Sequence, residues 1–184
     1  MSFQESFPTA LLSDKEMAAE LQIIDGYYKT MGVETVMVDA SEQVELPMLL
    51  AILPNDNDEV EEPRVLSHSF QPSDGELVDG TKYFQIYGET PVEHLGIPRL
   101  ELLELVNLCN TNSQGTMVLL RKNEGQTMVC LRHLSNFPVT EVISKTAFFD
   151  MLSVFDVFSA MVELLLEQLS QGKTLEQAQE ILGI

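Results

Sequence analysis

The residues best suited to chemistry are three histidines and two cysteines, and their spacing limits what they could do. A zinc site needs about four clustered donors, whereas His68, His94 and His133 are scattered and none has a second ligand at metal-binding spacing. Cys130 and His133 form a local nucleophile–base pair, but they lie three positions apart on a predicted strand. Because a strand directs such side chains to opposite faces, they cannot form a hydrogen-bonded dyad. The sequence predicts no catalytic residues, no metal ligands and no cofactor.

The carboxylates also favour solvated surfaces over reactive sites. Glu101 and Glu104 are the best pair for acid–base work, but beside Arg99 on a helix this spacing is typical of an exposed face. An acidic stretch covers residues 55–63. A calcium-binding EF-hand loop needs Gly at its sixth position and Glu at its twelfth, and this stretch provides neither. We therefore predict an exposed acidic loop over 55–63.

The cysteines and the first ten residues indicate the cellular compartment in which the protein is expected. Cys109 and Cys130 lie in apolar surroundings, which favours two reduced, buried thiols. Residues 1–10 lack the basic and apolar regions of a secretory signal. The most apolar run, residues 147–166, contains three acidic residues, which argues against a membrane span. We expect a cytoplasmic protein that does not bind membranes.

The charge balance restricts the partners. The chain has 184 residues with 29 acidic against 10 basic side chains, a formal net charge of −19. Phosphate binding needs clustered Lys and Arg, so no nucleic-acid partner is expected. Most of the acidic residues precede residue 96, and they would favour a partner or client with basic segments.

Periodicity predicts the helices. A capping box at Ser13–Glu16 and an apolar stripe predict a helix over 14–31. Pro98 precedes a second helix over 99–111, and a long third helix covers 144–170. A second capping-box pattern at Thr174 begins a short C-terminal helix over 174–182.

The strands form two groups. β-type runs cover 33–38, 44–53, 64–70 and 82–87, which make a meander, and 116–122 with 127–134, which make a hairpin. Pro47 indicates a bulge, an edge or a strand that begins at Met48. The fold class is α+β, an antiparallel sheet packed by helices in the order α-β-β-β(β)-α-β-β-α plus the short helix. We predict one domain over 1–184, with its core over 14–170.

Two asparagines in the second helix have alternative roles. Asn107 and Asn110 are unfavourable inside a helix, which calls for compensation. Their amides could tie the helix to the backbone of the following hairpin, or the helix could fray near Asn110, or the pair could form a ligand site. Because buried amides are normally hydrogen-bonded, we predict structural roles for Asn107 and Asn110.

The third helix carries more apolar surface than a surface helix needs. Its polar side centres on Asp156 and includes Ser159, and the apolar arc covers roughly 200° against the ~100° of an ordinary amphipathic helix. Such an excess is typical of an interface, although the alternative is a helix packed on both sides within its own domain. The candidate dimer or partner surface comprises Phe148, Phe155, Leu166, Val157 and Leu164.

The first helix is the candidate client-contact element. Leu21, Ile24 and Tyr28 lie on its apolar stripe. They could contact a client, or they could pack against the sheet of their own domain, as amphipathic stripes normally do.

The order of elements, with Leu103–Asn110 at its centre, resembles the YbjN-type bacterial regulators and the related type III secretion chaperones. The segment Leu103-Glu104-Leu105-Val106-Asn107-Leu108-Cys109-Asn110 is similar to that family's helix with two asparagines three apart. The resemblance covers about residues 14–170 and implies a non-enzymatic, dimeric protein-binding module. The acidic loop and the short C-terminal helix depart from the pattern.

Two functions remain open at this point. The first is a chaperone-like or adaptor-like module that binds polypeptide as a homodimer. The alternative is a small-molecule-binding protein or an enzyme with a pocket between helices and sheet. An enzyme needs titratable groups that converge in an apolar pocket, and the sequence shows no such set.

Overall fold

A computed structural model describes residues 12–42, 44–53, 64–71, 80–113, 115–123 and 125–184. Within them the helices and strands follow one another in the predicted order. The predicted acidic loop over 55–63 lies outside the described residues. The helices are α1 (Asp14–Lys29), α2 (Arg99–Asn112), α3 (Lys145–Ser170) and α4 (Leu175–Leu182), with a short 3₁₀ helix at Glu93–Leu95. The strands are β1 (Glu34–Val38), β2 (Met48–Leu53), β3 (Arg64–Gln71), β4 (Thr81–Pro91), β5 (Thr116–Asn123) and β6 (Gln126–Pro138).

The six strands form one antiparallel sheet in the order β1-β2-β3-β4-β6-β5. In the β1–β2 pair Val36 lies opposite Leu50, and in the β2–β3 pair Leu49 lies opposite His68. The β5–β6 hairpin pairs Val118 with Leu131. The predicted α+β class, meander and hairpin are therefore confirmed.

Local signals account for the ends of several elements. Ser13 and Glu16 form the predicted capping box of α1, and Thr174 and Gln177 form that of α4. The second strand begins at Met48 and leaves Pro47 outside it. This agrees with the missing backbone N–H of proline, which makes it unfavourable within a strand. The fourth strand continues beyond the predicted end at residue 87, because Gly88 occupies its buried face and does not interrupt the alternation.

The chain forms two compact units, and β4, β6 and α3 each contribute residues to both. The first unit comprises Met1–Gln85 and Leu134–Phe148. Here α1 packs on β1, β2 and β3. Its core is built from fully buried aromatic and aliphatic side chains: Leu21, Ile24, Tyr28, Leu49, Leu66, Phe70, Phe84, Ile143 and Phe148.

The second unit comprises Ile86–His133 and Phe149–Ile184. In this unit α2 packs on β5 and also contacts α4. Its buried side chains include Leu105, Cys109, Val118, Phe155 and Leu165. The prediction of a single domain over 1–184 stays a prediction.

Candidate functional site

The histidines have separate environments. His68 is fully buried in the first unit, where burial lowers its pKa to about 4. His133 is buried in the second unit, with Nδ1 at 2.9 Å from the Thr116 hydroxyl, and burial lowers its pKa also. His94 is exposed. Among the described residues no three His, Cys, Asp or Glu side chains are grouped to hold a metal ion.

Both cysteines are buried free thiols. Burial raises the pKa of Cys109 to about 11, and it raises the pKa of Cys130 as well. The Cys130 thiol also has a hydrogen bond with Tyr87, whose own pKa burial raises. Cys130 and His133 thus each engage a different neighbour. A nucleophilic cysteine needs a depressed pKa, so these thiols lack the environment that activates one.

A buried ion pair lies in the first unit. Lys82 Nζ lies 2.7 Å and 2.5 Å from the two carboxylate oxygens of Glu20, and it also donates to the Glu141 carbonyl. The Ile143 amide donates to Glu20 at 2.8 Å. These contacts join α1, β4 and the segment before α3. Since both charged groups are satisfied within the fold, we assign the pair to structure.

The stripe of α1 faces the core. Leu21, Ile24 and Tyr28, the candidate client-contact residues, expose no surface. A side chain without exposed surface cannot contact a client. The stripe instead packs on the sheet of its own unit, which was the alternative considered for this helix.

The candidate partner surface of α3 divides between core and solvent. Phe148, Phe155 and Leu166 are buried, which excludes direct contact with a partner for these three. Val157 is 73% exposed and Leu164 is 46% exposed. The buried face of α3 is rotated relative to the prediction, because Ser159 is buried while Val154 is 51% exposed. The exposed apolar residues of α3 therefore form a narrower stripe than the predicted arc.

The two asparagines differ. The Asn110 amide donates to the Val118 carbonyl at 2.9 Å and accepts from the Val118 amide at 2.7 Å, which ties α2 to β5 as predicted. Asn107 is exposed, and its side chain lines an open groove. Asn110 is exposed as well, so exposure does not test the structural role predicted for Asn107, which stays a prediction.

That groove lies between α2 and α4 and has a volume of about 430 Å³. Its residues on α2 recur at helical spacing and share one face of the helix. Half-buried Leu108 and Leu175 supply apolar surface, while exposed Glu104 and Glu176 supply carboxylates. The lining is Glu104, Asn107, Leu108, Thr111, Asn112, Leu175, Glu176 and Gln179. We call this feature the α2–α4 groove.

Sequence reasoning missed this groove. The capping box at Thr174 correctly placed the start of α4, and the sequence also predicted the helix α2. The contact between the two helices was the missing information, since nothing in the local pattern of either helix specifies its neighbour.

A second cavity, of about 370 Å³, lies at the start of α2. Val92, Gly96 and Leu102 contribute to it with the charged residues Arg99 and Lys122. Another charged lining residue, Glu93, has its pKa lowered by hydrogen bonds from the side chain and from the backbone amide of Thr127, the latter at 3.1 Å. No described helix is long and apolar enough to cross a membrane.

Comparison with known proteins finds no matching family model and no matching curated protein sequence. Among solved structures, the chain is similar to YbjN from E. coli, with 15% sequence identity and a TM-score of 0.44. The match covers 83% of this chain and 93% of the YbjN chain. This likeness concerns the fold alone.

Proposed function

We propose that this protein is a non-enzymatic, adaptor-like or chaperone-like module that binds polypeptide, with the α2–α4 groove as its docking site. The occupant is a client segment that places a Lys or Arg beside an apolar side chain. The observation that carries the proposal is the composition of the groove, in which leucines and carboxylates line the same concave surface.

The apolar part of the groove supports affinity. Leu108 and Leu175 retain exposed surface that a client side chain would remove from water. Ligand sites in proteins typically measure roughly 300–1,000 Å³ and combine apolar walls with a few polar groups. The volume of about 430 Å³ lies in this range and suits one or two side chains of a peptide.

The charges support selectivity. Glu104 and Glu176 are exposed acidic groups on opposite helices of the groove. A basic side chain between them would gain two favourable contacts, whereas an acidic one would be repelled. The net charge of −19 adds a long-range attraction for basic segments that speeds their encounter with the protein.

The absence of catalysis is part of the proposal and rests on reactive groups engaged within the fold. His68 and both thiols are buried, and Lys82 is paired with Glu20. Free, buried thiols are in keeping with a reducing compartment, so we expect the protein to act in the cytoplasm.

The test uses a fluorescently labelled synthetic peptide with Leu and Lys at helical spacing, and a matched peptide with Glu in place of each Lys. We expect the Leu/Lys peptide to bind and the Leu/Glu peptide not to bind, as measured by fluorescence anisotropy. The double variant Glu104→Lys/Glu176→Lys should weaken binding of the Leu/Lys peptide roughly three- to tenfold, since exposed charge pairs contribute modestly.

The matched control separates the groove from the overall charge. Asp39→Lys/Glu42→Lys changes the net charge equally at two exposed positions in the other unit. Equal weakening in both double variants would assign binding to net charge and overturn the groove as the site. Failure of the Leu/Lys peptide to bind at all would favour the small-molecule alternative.

A further inference from the structure

The exposed side of α3 carries a regular apolar stripe. Val154, Val157 and Leu164 are 51%, 73% and 46% exposed, and Met161 between them is half-buried. With exposed Asp150 before them and half-buried Gln168 after them, these residues recur at alternating spacings of four and three. We call these six residues the α3 seam.

This spacing is the heptad pattern of helices that pair along their length. Val154, Met161 and Gln168 occupy a positions, and Asp150, Val157 and Leu164 occupy d positions. The exposure of Val157 is the highest among the large hydrophobic side chains described. The helix α3 has 26 residues. Its seam exposes to water the kind of apolar surface that helices in a coiled coil bury.

We propose that the α3 seam binds the α3 seam of a second copy of this chain, with the two helices antiparallel about a two-fold axis that crosses the seam midway between Val157 and Met161. A two-fold axis there brings each seam residue opposite a different seam residue of the other copy. Val154 faces Leu164, Val157 faces Met161, and Asp150 faces Gln168. Each contact occurs twice, as an isologous interface requires.

Side-chain size and charge both favour a second copy of the chain as the partner, and both favour the antiparallel direction. Every apolar layer combines a short Val with a longer Leu or Met, so the layers have similar volumes and can pack evenly. The single acidic residue of the seam faces an amide. A parallel pair would instead place Asp150 directly opposite Asp150, a repulsive contact, and would stack Val against Val and Leu against Leu.

The net charge of −19 on each copy opposes association and gives the dimer a recognisable salt dependence. Salt screens the repulsion between two acidic copies, while the apolar seam is hardly weakened by it. Dimerisation should therefore strengthen as salt rises. Binding of a basic peptide in the α2–α4 groove should weaken over the same range, so the two proposals can fail independently.

Sedimentation equilibrium of the full chain tests the association. We expect about twice 20.6 kDa at micromolar concentration and moderate salt. Val157→Glu should raise the dissociation constant at least about tenfold, because it introduces a charge at the centre of the seam. Val142→Glu, at an exposed apolar position outside the seam, should leave the dissociation constant unchanged. A monomer throughout, or a dimer insensitive to Val157→Glu, would overturn the proposal.

Cross-linking tests the direction. Val154→Cys and Leu164→Cys variants, mixed and oxidised with oxidised glutathione, should give a disulfide-linked dimer because these positions face each other. Neither variant should cross-link alone. Both native thiols are buried and should not interfere. A dimer that cross-links through Val154→Cys alone would show parallel pairing and contradict the proposed interface.

Discussion

The phenol oxygen of Tyr28 lies 2.9 Å from Nε2 of His68, and neither side chain has any exposed surface. The other ring nitrogen, Nδ1, lies 3.3 Å from the Leu49 carbonyl oxygen. Because a carbonyl can only accept, Nδ1 carries the proton and Nε2 accepts from the Tyr28 hydroxyl. The two rings also meet edge to face at 5.3 Å. This pair satisfies both polar groups inside an aromatic cluster and keeps His68 neutral.

Neutral His68 predicts a specific pH dependence of stability. Burial lowers its pKa to about 4, whereas the unfolded chain has the ordinary value near 6.5. Between these values the unfolded state binds a proton that the folded state does not, so the free energy of unfolding falls as pH decreases from about 6.5 to 4. The loss from this group is on the order of 3 kcal/mol and is absent above pH 6.5.

Urea unfolding across this pH range measures the effect. His68→Gln keeps a polar side chain but does not titrate, so its decline between pH 6.5 and 4 should be smaller than in the unmodified protein. His94→Gln removes an exposed histidine and should leave the decline unchanged. Identical pH profiles for His68→Gln and His94→Gln would contradict the assignment.

Lys82→Met should be among the most destabilising changes in the first unit. It leaves the buried Glu20 carboxylate without its cation, which costs about 3–5 kcal/mol. Adding Glu20→Gln should recover part of the loss, because Gln retains an acceptor for the Ile143 amide without the charge. Denaturant midpoints measure these differences.

The control for Lys82 is an ion pair whose lysine is exposed. Lys29 Nζ lies 2.6 Å from Asp25, and the Lys29 side chain is 68% exposed. Lys29→Met should change the free energy of unfolding by no more than about 0.5 kcal/mol. Equal losses for Lys29→Met and Lys82→Met would show that burial does not decide the strength of these pairs.

Asn110→Ala should lower the free energy of unfolding by about 1–3 kcal/mol. The change removes two hydrogen bonds and leaves the amide and carbonyl of Val118 without that partner. Asn107→Ala, at an exposed position that lines the α2–α4 groove, should cost less than about 0.5 kcal/mol. Similar losses in both variants would count against the distinction between the two amides.

Both thiols should resist modification in the folded protein. The pKa of Cys109, about 11 against an ordinary value of 9.0, means an about hundredfold smaller thiolate population at neutral pH, and burial hinders access further. A disulfide reagent should therefore react with both thiols rapidly only in denaturant. Reaction at the denatured rate without denaturant would contradict the burial of Cys109 and Cys130.

Much of the fold is encoded in local signals. The capping boxes at Ser13 and Thr174 specify helix starts, because a hydroxyl three positions before a Glu or Gln can satisfy free amides wherever the chain folds. Pro47 delays the second strand to Met48 for a reason equally local, the missing amide hydrogen. Alternation and helical period supplied the element types and their order. The role of Asn110 followed from the cost of an Asn within a helix, which calls for a compensating hydrogen bond.

The sequence by itself thus determined the elements and the α+β class. Only the tertiary structure decided which apolar face of each helix is buried. In α3 the apolar arc was wide enough for several orientations, and packing selected the one that buries Phe155 and Ser159 and exposes Val157. The same holds for α2 and α4, whose groove exists only because two helices distant along the chain pack together. Periodicity is a property of one helix, whereas burial depends on the partner that covers it.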